Sequence, residues 1–126
     1  MDDIDIKSTL KTPAILFNES EKRLIIEGRS ILENPAKFYS PLITKLKHYH
    51  THPIGKLEVD FKLEFFNTTS SIVILKVLKH LFLLQASNTE IIINWYYDEH
   101  DSDLLEVGRD YSELLNFPFN FIATSI

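Results

Sequence analysis

From residue 57 to residue 65 the chain alternates strictly, with Leu57, Val59, Phe61, Leu63 and Phe65 interleaved with Glu58, Asp60, Lys62 and Glu64. Successive strand side chains point to opposite faces, so the pattern predicts a strand with one apolar and one charged face. Beyond it the period changes. Ile74/Leu75, Val77/Leu78, Leu81/Phe82 and Gln85 recur at helical spacing in a segment free of Gly and Pro, which predicts a long apolar helix. Between the two lies Asn67-Thr68-Thr69-Ser70-Ser71. These residue types cap the unpaired N–H groups of a helix start, so the run marks a strand-to-helix junction. Four consecutive hydroxyls exceed what a cap requires, and a phosphate on one of them would meet amide donors and a favourable dipole.

Residues 1–11 carry no period and read as a flexible N-terminal arm ahead of a single α/β domain at 12–126. Ala14-Ile15-Leu16-Phe17 and Arg23-Leu24-Ile25-Ile26-Glu27-Gly28, joined by a polar turn, predict a β-hairpin. Asn34 and Pro35 suit a cap and first helical position, and Phe38, Leu42, Leu46 and Tyr49 then mark one helix face. Pro41 implies either a bend in that helix or a restart with Ser40 as cap. After the central strand and helix, the β-branched and aromatic run at 90–97 predicts another strand. An acidic linker at 98–103 leads into a last helix starting near Asp101 or Ser102, with Leu104/Leu105, Val107/Gly108, Tyr111 and Leu114/Leu115 inward. Residues 117–122 have the make-up of a closing edge strand, where a sheet tolerates proline. This order calls for parallel pairings with crossover helices, which are right-handed in ~98% of cases. A sheet covered on both sides would not tolerate the charged face at 57–65. The expected fold is therefore α/β, a small mixed, mostly parallel sheet with about three helices on one face.

At 126 residues the chain suits one domain with one core. Thirteen Lys and Arg against 18 Asp and Glu give a net charge of −5, which does not attract nucleic acid or anionic membrane. The absence of cysteine excludes disulfides, thiolate metal sites and thiol nucleophiles. The acidic start Met1-Asp2-Asp3-Ile4-Asp5 lacks the basic-then-apolar order of a signal peptide, and a cytoplasmic location is expected. The apolar helix at 72–84, interrupted by Lys76, Lys79 and His80, reads as too short and too charged to span a bilayer.

Other candidate chemistry has a plainer explanation. His48, His50 and His52 alternate near a helix end, where His interacts well with the dipole, and Pro53 implies fraying before His52 could join His48 on a metal. The carboxylates at 98–103 could hold a cation, yet they lack the glycine and distal Glu of an EF-hand and suit a helix start. Trp95 and Tyr97 share a strand face and read as core or interface. No phosphate loop, nucleophile elbow or zinc signature is present, and neither a cofactor nor a metal is expected.

Several pieces coincide: Thr12-Pro13, Gly28-Arg29-Ser30, Glu33-Asn34-Pro35, Phe38-Tyr39-Ser40-Pro41-Leu42, Phe61 through Ser71, Trp95-Tyr96-Tyr97-Asp98-Glu99, and Leu105-Glu106-Val107-Gly108-Arg109-Asp110-Tyr111. Together they resemble the SiaC family of small bacterial regulatory phosphoproteins. The resemblance implies a STAS-type fold similar to anti-sigma-factor antagonists. It also implies reversible phosphorylation of the threonine after the motif's asparagine, here Thr68, with Asn67, Thr69, Ser70 and Ser71 as candidate partner surface. In the best-known branch a dedicated kinase adds the phosphate and a PP2C-like phosphatase removes it. The unphosphorylated protein there binds and activates a diguanylate cyclase in cyclic-di-GMP signalling. Thr69 stands where the family more often has serine, so Thr69 and Ser70 remain alternative phosphosites. Two readings from other classes stand beside the switch: a metal-dependent enzyme using the 98–103 linker with His100, and a structural homodimer using the uncovered sheet face.

Overall fold

The computed structural model describes residues 3–125. Met1 and Asp2 of the expected arm, and Ile126, lie outside the described residues. The order is β1 (Ile4–Ile6), β2 (Ala14–Asn18), β3 (Arg23–Ser30), α1 (Pro35–His48), β4 (Lys56–Phe66), α2 (Thr68–Leu83), a 3-10 turn (Leu84–Ser87), β5 (Glu90–Asp98), α3 (Ser102–Leu115) and β6 (Asn120–Thr124). Strand order in the six-stranded sheet follows chain order. β1, β2 and β3 pair antiparallel, and β3, β4, β5 and β6 pair parallel. Each parallel step is made through one helix and moves the same way across the sheet, so right-handed crossovers put all three helices on one face. That is the one-sided arrangement expected from the charged face of β4.

The core fills the space between that face and the helices. Ile15, Phe17, Leu24, Ile26, Leu57, Val59, Phe61, Ile93 and Trp95 project from the sheet to meet Leu42, Leu46, Val77, Leu78, Leu81 and Tyr111. α1 is one continuous helix with Pro41 inside it. Pro41 and Lys37, whose carbonyl loses its i+4 donor, are both exposed, so water can take the place of the missing bond. The segment Thr68–Ser87 is long and apolar enough by length and composition to cross a membrane, longer than the sequence suggested. Here it is the central core helix, burying Val73, Ile74, Val77, Leu78 and Leu81.

Four expectations need correction. Ile4–Ile6, part of the expected loose arm, pairs with β2 as an edge strand. The closing strand is Asn120–Thr124, after Pro118 rather than around it. Leu114, expected inward, is 67% exposed. Phe65, expected on the apolar face of β4, is 51% exposed. Gly28 pairs with Leu63 but Arg29 pairs with Phe65, so Glu64 is an extra residue on β4. This bulge shifts the alternation by one, turning Phe66 toward Trp95 (6.4 Å between rings) and Phe65 outward. Gly28 supports it with a φ of +119°, a conformation side chains rarely adopt.

The charged face is ordered rather than merely solvated. Asp60, 1% exposed, pairs with Arg23 Nη2 at 2.5 Å and accepts from Asn94 Nδ2 at 2.8 Å. Asn94 also donates to Glu58 at 2.8 Å, and its oxygen accepts from Asn120 at 3.0 Å. The Asp60 carboxylate and the Arg23 proton are mutually stabilised, which raises the guanidinium pKa above its usual value.

Candidate functional site

β4 ends at Phe66 and α2 begins at Thr68, with Asn67 as the residue between. Asn67 has an extended backbone (φ −81°, ψ 175°), and its side-chain oxygen accepts from Ser70 N–H at 3.0 Å. Its own N–H donates to Ser30 O at 3.1 Å and its Nδ2 to Leu32 O at 3.1 Å. The cap is thereby pinned to the segment between β3 and α1.

The four hydroxyls that follow do four different things. Thr69 is exposed, and its hydroxyl donates to Leu32 O at 2.7 Å. Ser70 is fully buried, a correction to its reading as partner surface or alternative phosphosite: it lies one helical turn before Ile74 on the core face. Its oxygen accepts from Ser30 Oγ at 2.9 Å, and Ser30 shares a second bond with Tyr39 OH at 2.8 Å. Ser71 is half-buried; its hydroxyl donates to Thr68 O at 2.6 Å, and its carbonyl accepts from Tyr111 OH at 2.8 Å. Thr68 is exposed, and its hydroxyl has no partner among the described residues. The backbone N–H groups of Thr68 and Thr69 likewise have no acceptor there, as the first turn of a helix requires.

The hydroxyl chain beneath the junction is shielded. Burial pushes the phenols of Tyr39 and Tyr111 each up to about 12, against the smaller opposing effect of their hydrogen bonds to Ser30 and Ser71. Sequence reasoning did not find Ser30, Tyr39 or Tyr111, because their link to the run spans 40 residues for Ser30–Ser70 and for Tyr111–Ser71. The one available signal was Gly28, a glycine inside a strand pattern, which marks a bulge.

The other candidates take structural roles. Asp101 caps α3 by accepting from Leu104 N–H at 3.0 Å, and Asp98 accepts from His100 N–H at 2.7 Å. His48 and His52 stack with ring centroids 4.3 Å apart, and His50 meets His80 at 5.9 Å. Among the described residues no group of three or more His, Cys, Asp or Glu side chains is arranged to hold a metal. Trp95 is core, donating to Leu104 O at 3.1 Å, while Tyr97 is half-buried against the core.

Comparison with known proteins agrees with this architecture. The crystal structure of apo-SiaC from Pseudomonas aeruginosa superposes with a TM-score of 0.86 at 25% identity, covering 99% of this chain and 100% of that one. SiaC in the crystal structure of diguanylate cyclase SiaD with its activator SiaC, also from Pseudomonas aeruginosa, matches with a TM-score of 0.88 at 26% identity over 97% of this chain and 100% of that one. An uncharacterised protein of Pseudomonas aeruginosa strain UCBPP-PA14 is 27% identical over 119 residues, 94% of each chain. The fold is thus the STAS-like fold of SiaC. The sequence profile of SiaC family regulatory phosphoproteins matches residues 6–124, nearly the whole length, and the chain belongs to that family.

Proposed function

We propose that this protein is a phosphorylation-controlled partner switch of bacterial signalling, acting in the cytoplasm as a regulator rather than an enzyme. A dedicated kinase phosphorylates Thr68, a PP2C-like phosphatase reverses it, and the unmodified form binds and regulates an effector of the diguanylate cyclase class. The observation that carries this reading is the division of labour in the hydroxyl run: Thr68 is the exposed member with no internal partner. The complex of SiaC with SiaD supports the effector class. Asn67, Thr69 and Ser71 form the rim around the modified residue.

A phosphate at Thr68 adds about −1.5 to −2 charges and three acceptor oxygens beside two unsatisfied N–H groups of the helix start, so it is accommodated rather than disruptive. A partner packed over the junction would have to bury that dianion unpaired, which costs several kcal/mol. The phosphoprotein therefore loses its effector and keeps its fold, and Thr68→Ala keeps the effector and cannot be switched off. Pull-down of partners identified by mass, with affinity and melting temperature compared for wild type, phosphoprotein and Thr68→Ala, tests this. Equal affinities across the three would refute the switch. A phosphoprotein that melts well below the others would show that the charge acts through the fold.

A further inference from the structure

All 18 carboxylates of the chain lie outside two segments, 34–57 and 65–89. The first contains α1 with the exposed Lys37 and Lys47, Lys45 being buried over the Phe17 ring; the second contains α2 with Lys76, Lys79 and His80. α1 and α2 pack against each other, so two adjacent helices of a protein with a net charge of −5 carry no negative side chain, while α3, which also packs on α2, carries Asp103, Glu106, Asp110 and Glu113. On α2, Thr68, Ile72, Lys76, Lys79 and Leu83 are all exposed. At 3.6 residues per turn these five fall within an arc of about 80°. Ile72 and Leu83, 64% and 50% exposed, bracket the two lysines, and neither lysine forms an ion pair among the described residues.

We infer that this stripe docks an acidic amphipathic helix of the partner protein. Apolar side chains of that helix pack on Ile72 and Leu83, and its carboxylates meet Lys76 and Lys79. Charge complementarity selects the occupant, because the face of α1 and α2, with lysines and no carboxylates, attracts acidic surface and repels basic surface. The two segments contain no arginine, the side chain that grips phosphate through two parallel bonds, which argues against a nucleic acid. Apolar anchors at both ends of the stripe fit the spaced contacts of a helix laid along a helix. Ile72 and Leu83 are separated by about 16 Å, roughly three turns of such a partner.

The regulation of this surface rests on the Thr68 reading; the docking does not. Thr68 lies one turn before Ile72, so its phosphate would face the same acidic helix. Lys76 lies two turns, about 12 Å along the axis, from Thr68, beyond the one-turn spacing at which helix side chains pair, so the phosphate gains no direct ion-pair partner on the stripe. The same modification would strengthen binding of a basic partner, so the sign of the switch reports the charge of the occupant.

The test uses the full chain and two labelled helical peptides with identical leucines at matching spacing, one bearing Glu and the other Lys between them, followed by fluorescence anisotropy at low and high salt. The Glu peptide is expected to bind about tenfold or more tighter than the Lys peptide, a difference of about 1.4 kcal/mol, and to weaken as salt rises. Lys76→Glu with Lys79→Glu should reverse the preference while circular dichroism and melting stay unchanged, and Ile72→Ser should weaken both peptides. Equal binding of the two peptides, a preference that survives the double charge reversal, or tighter binding of a DNA duplex or phosphatidylserine vesicles than of the Glu peptide would overturn the inference. Phosphorylated protein should lose most of its affinity for the Glu peptide. A Glu preference that phosphorylation leaves untouched refutes the Thr68 switch alone; peptides that do not discriminate, beside an effector that still responds to phosphorylation, refute the docking stripe alone.

Discussion

Replacing Gly108 by alanine is expected to destabilise the protein, although the same change in an exposed helix interior stabilises by about 1 kcal/mol. A Cβ at this position of α3 would lie 2.5 Å from Trp95 Nε1, 2.6 Å from Cδ1 and 2.8 Å from Cε2. Non-bonded carbons settle at about 3.5–4.0 Å, so the ring or the helix must move by about 1 Å. The ring is held: Trp95 is buried, stacks on Phe61 and Phe119 with centroids 5.6 and 6.3 Å apart, and meets Tyr111 edge-on at 5.8 Å. The helix must therefore lift, stretching the bond from Trp95 Nε1 to Leu104 O and straining that from Tyr111 OH to Ser71 O. Overpacking costs about 1–3 kcal/mol and a weakened buried hydrogen bond about 1 more, against the helix gain of about 1. The net loss is about 1–3 kcal/mol, a fall of about 4–12 °C in Tm for a domain of this size. Urea unfolding followed by far-UV circular dichroism measures it for Gly108→Ala, Trp95→Phe and the pair, independent of the single tryptophan's fluorescence. The smaller ring makes room, so alanine should cost about 1 kcal/mol less in the Trp95→Phe background. A Gly108→Ala protein as stable as wild type, or strict additivity in the cycle, would refute the reasoning.

Three further outcomes are expected. Ser30→Ala leaves the buried Ser70 hydroxyl and Tyr39 phenol without their shared partner and should cost about 1–3 kcal/mol in urea unfolding; a loss under about 0.5 kcal/mol, the size of a surface substitution, contradicts the network. Burial pushes the phenols of Tyr39 and Tyr111 up to about 12 in the folded protein from near 10 unfolded, so the unfolded chain gives up protons first and stability falls as pH rises from 10 towards 12; ultraviolet difference absorbance should show phenolic ionisation extending towards pH 12, and a single transition near 10 contradicts it. His80 has its pKa lowered by burial and by Lys47, His50 and Lys76, so the unfolded chain takes up the proton near 6.5 before the folded one does and stability declines as pH falls through that value. His80→Gln should flatten that part of the profile, and an unchanged slope would assign it to other groups.

What the sequence disclosed, and what it hid, divides along a physical line. Local patterns were reliable: the alternation of Leu57, Val59, Phe61 and Leu63, the Asn67 cap and the Asp101 cap all lie where the pattern puts them. The phase of α2 was also written in the chain, since Ser70 precedes Val73 and Ile74 by three and four residues and must share their buried face. Non-local register was not legible. The shift opposite Gly28 exposes Phe65, the neighbouring strands bring Arg23 and Asn94 to Asp60, and Ile4–Ile6 forms a strand only because β2 offers an edge. A three-residue strand is too short to show a period at all, and an acidic residue on an open sheet face looks the same in sequence whether it is solvated or paired.

The hydrogen bonding of the junction also bears on the proposed charge switch. The hydrogen bonds of Asn67, Thr69, Ser70 and Ser71 tie the first turn of α2 to Ser30, Leu32, Tyr39 and Tyr111, that is, to β3, the segment entering α1, α1 itself and α3. Thr68 rests on this platform and contributes no side-chain bond to it. The phosphate proposed there would release no side-chain hydrogen bond among the described residues, and would act through the field it adds at the surface. Such a switch demands that the partner's affinity depend on charge near the start of α2, and the proposed docking face on α1 and α2, which carries no carboxylate, is where an added phosphate would change the local sign.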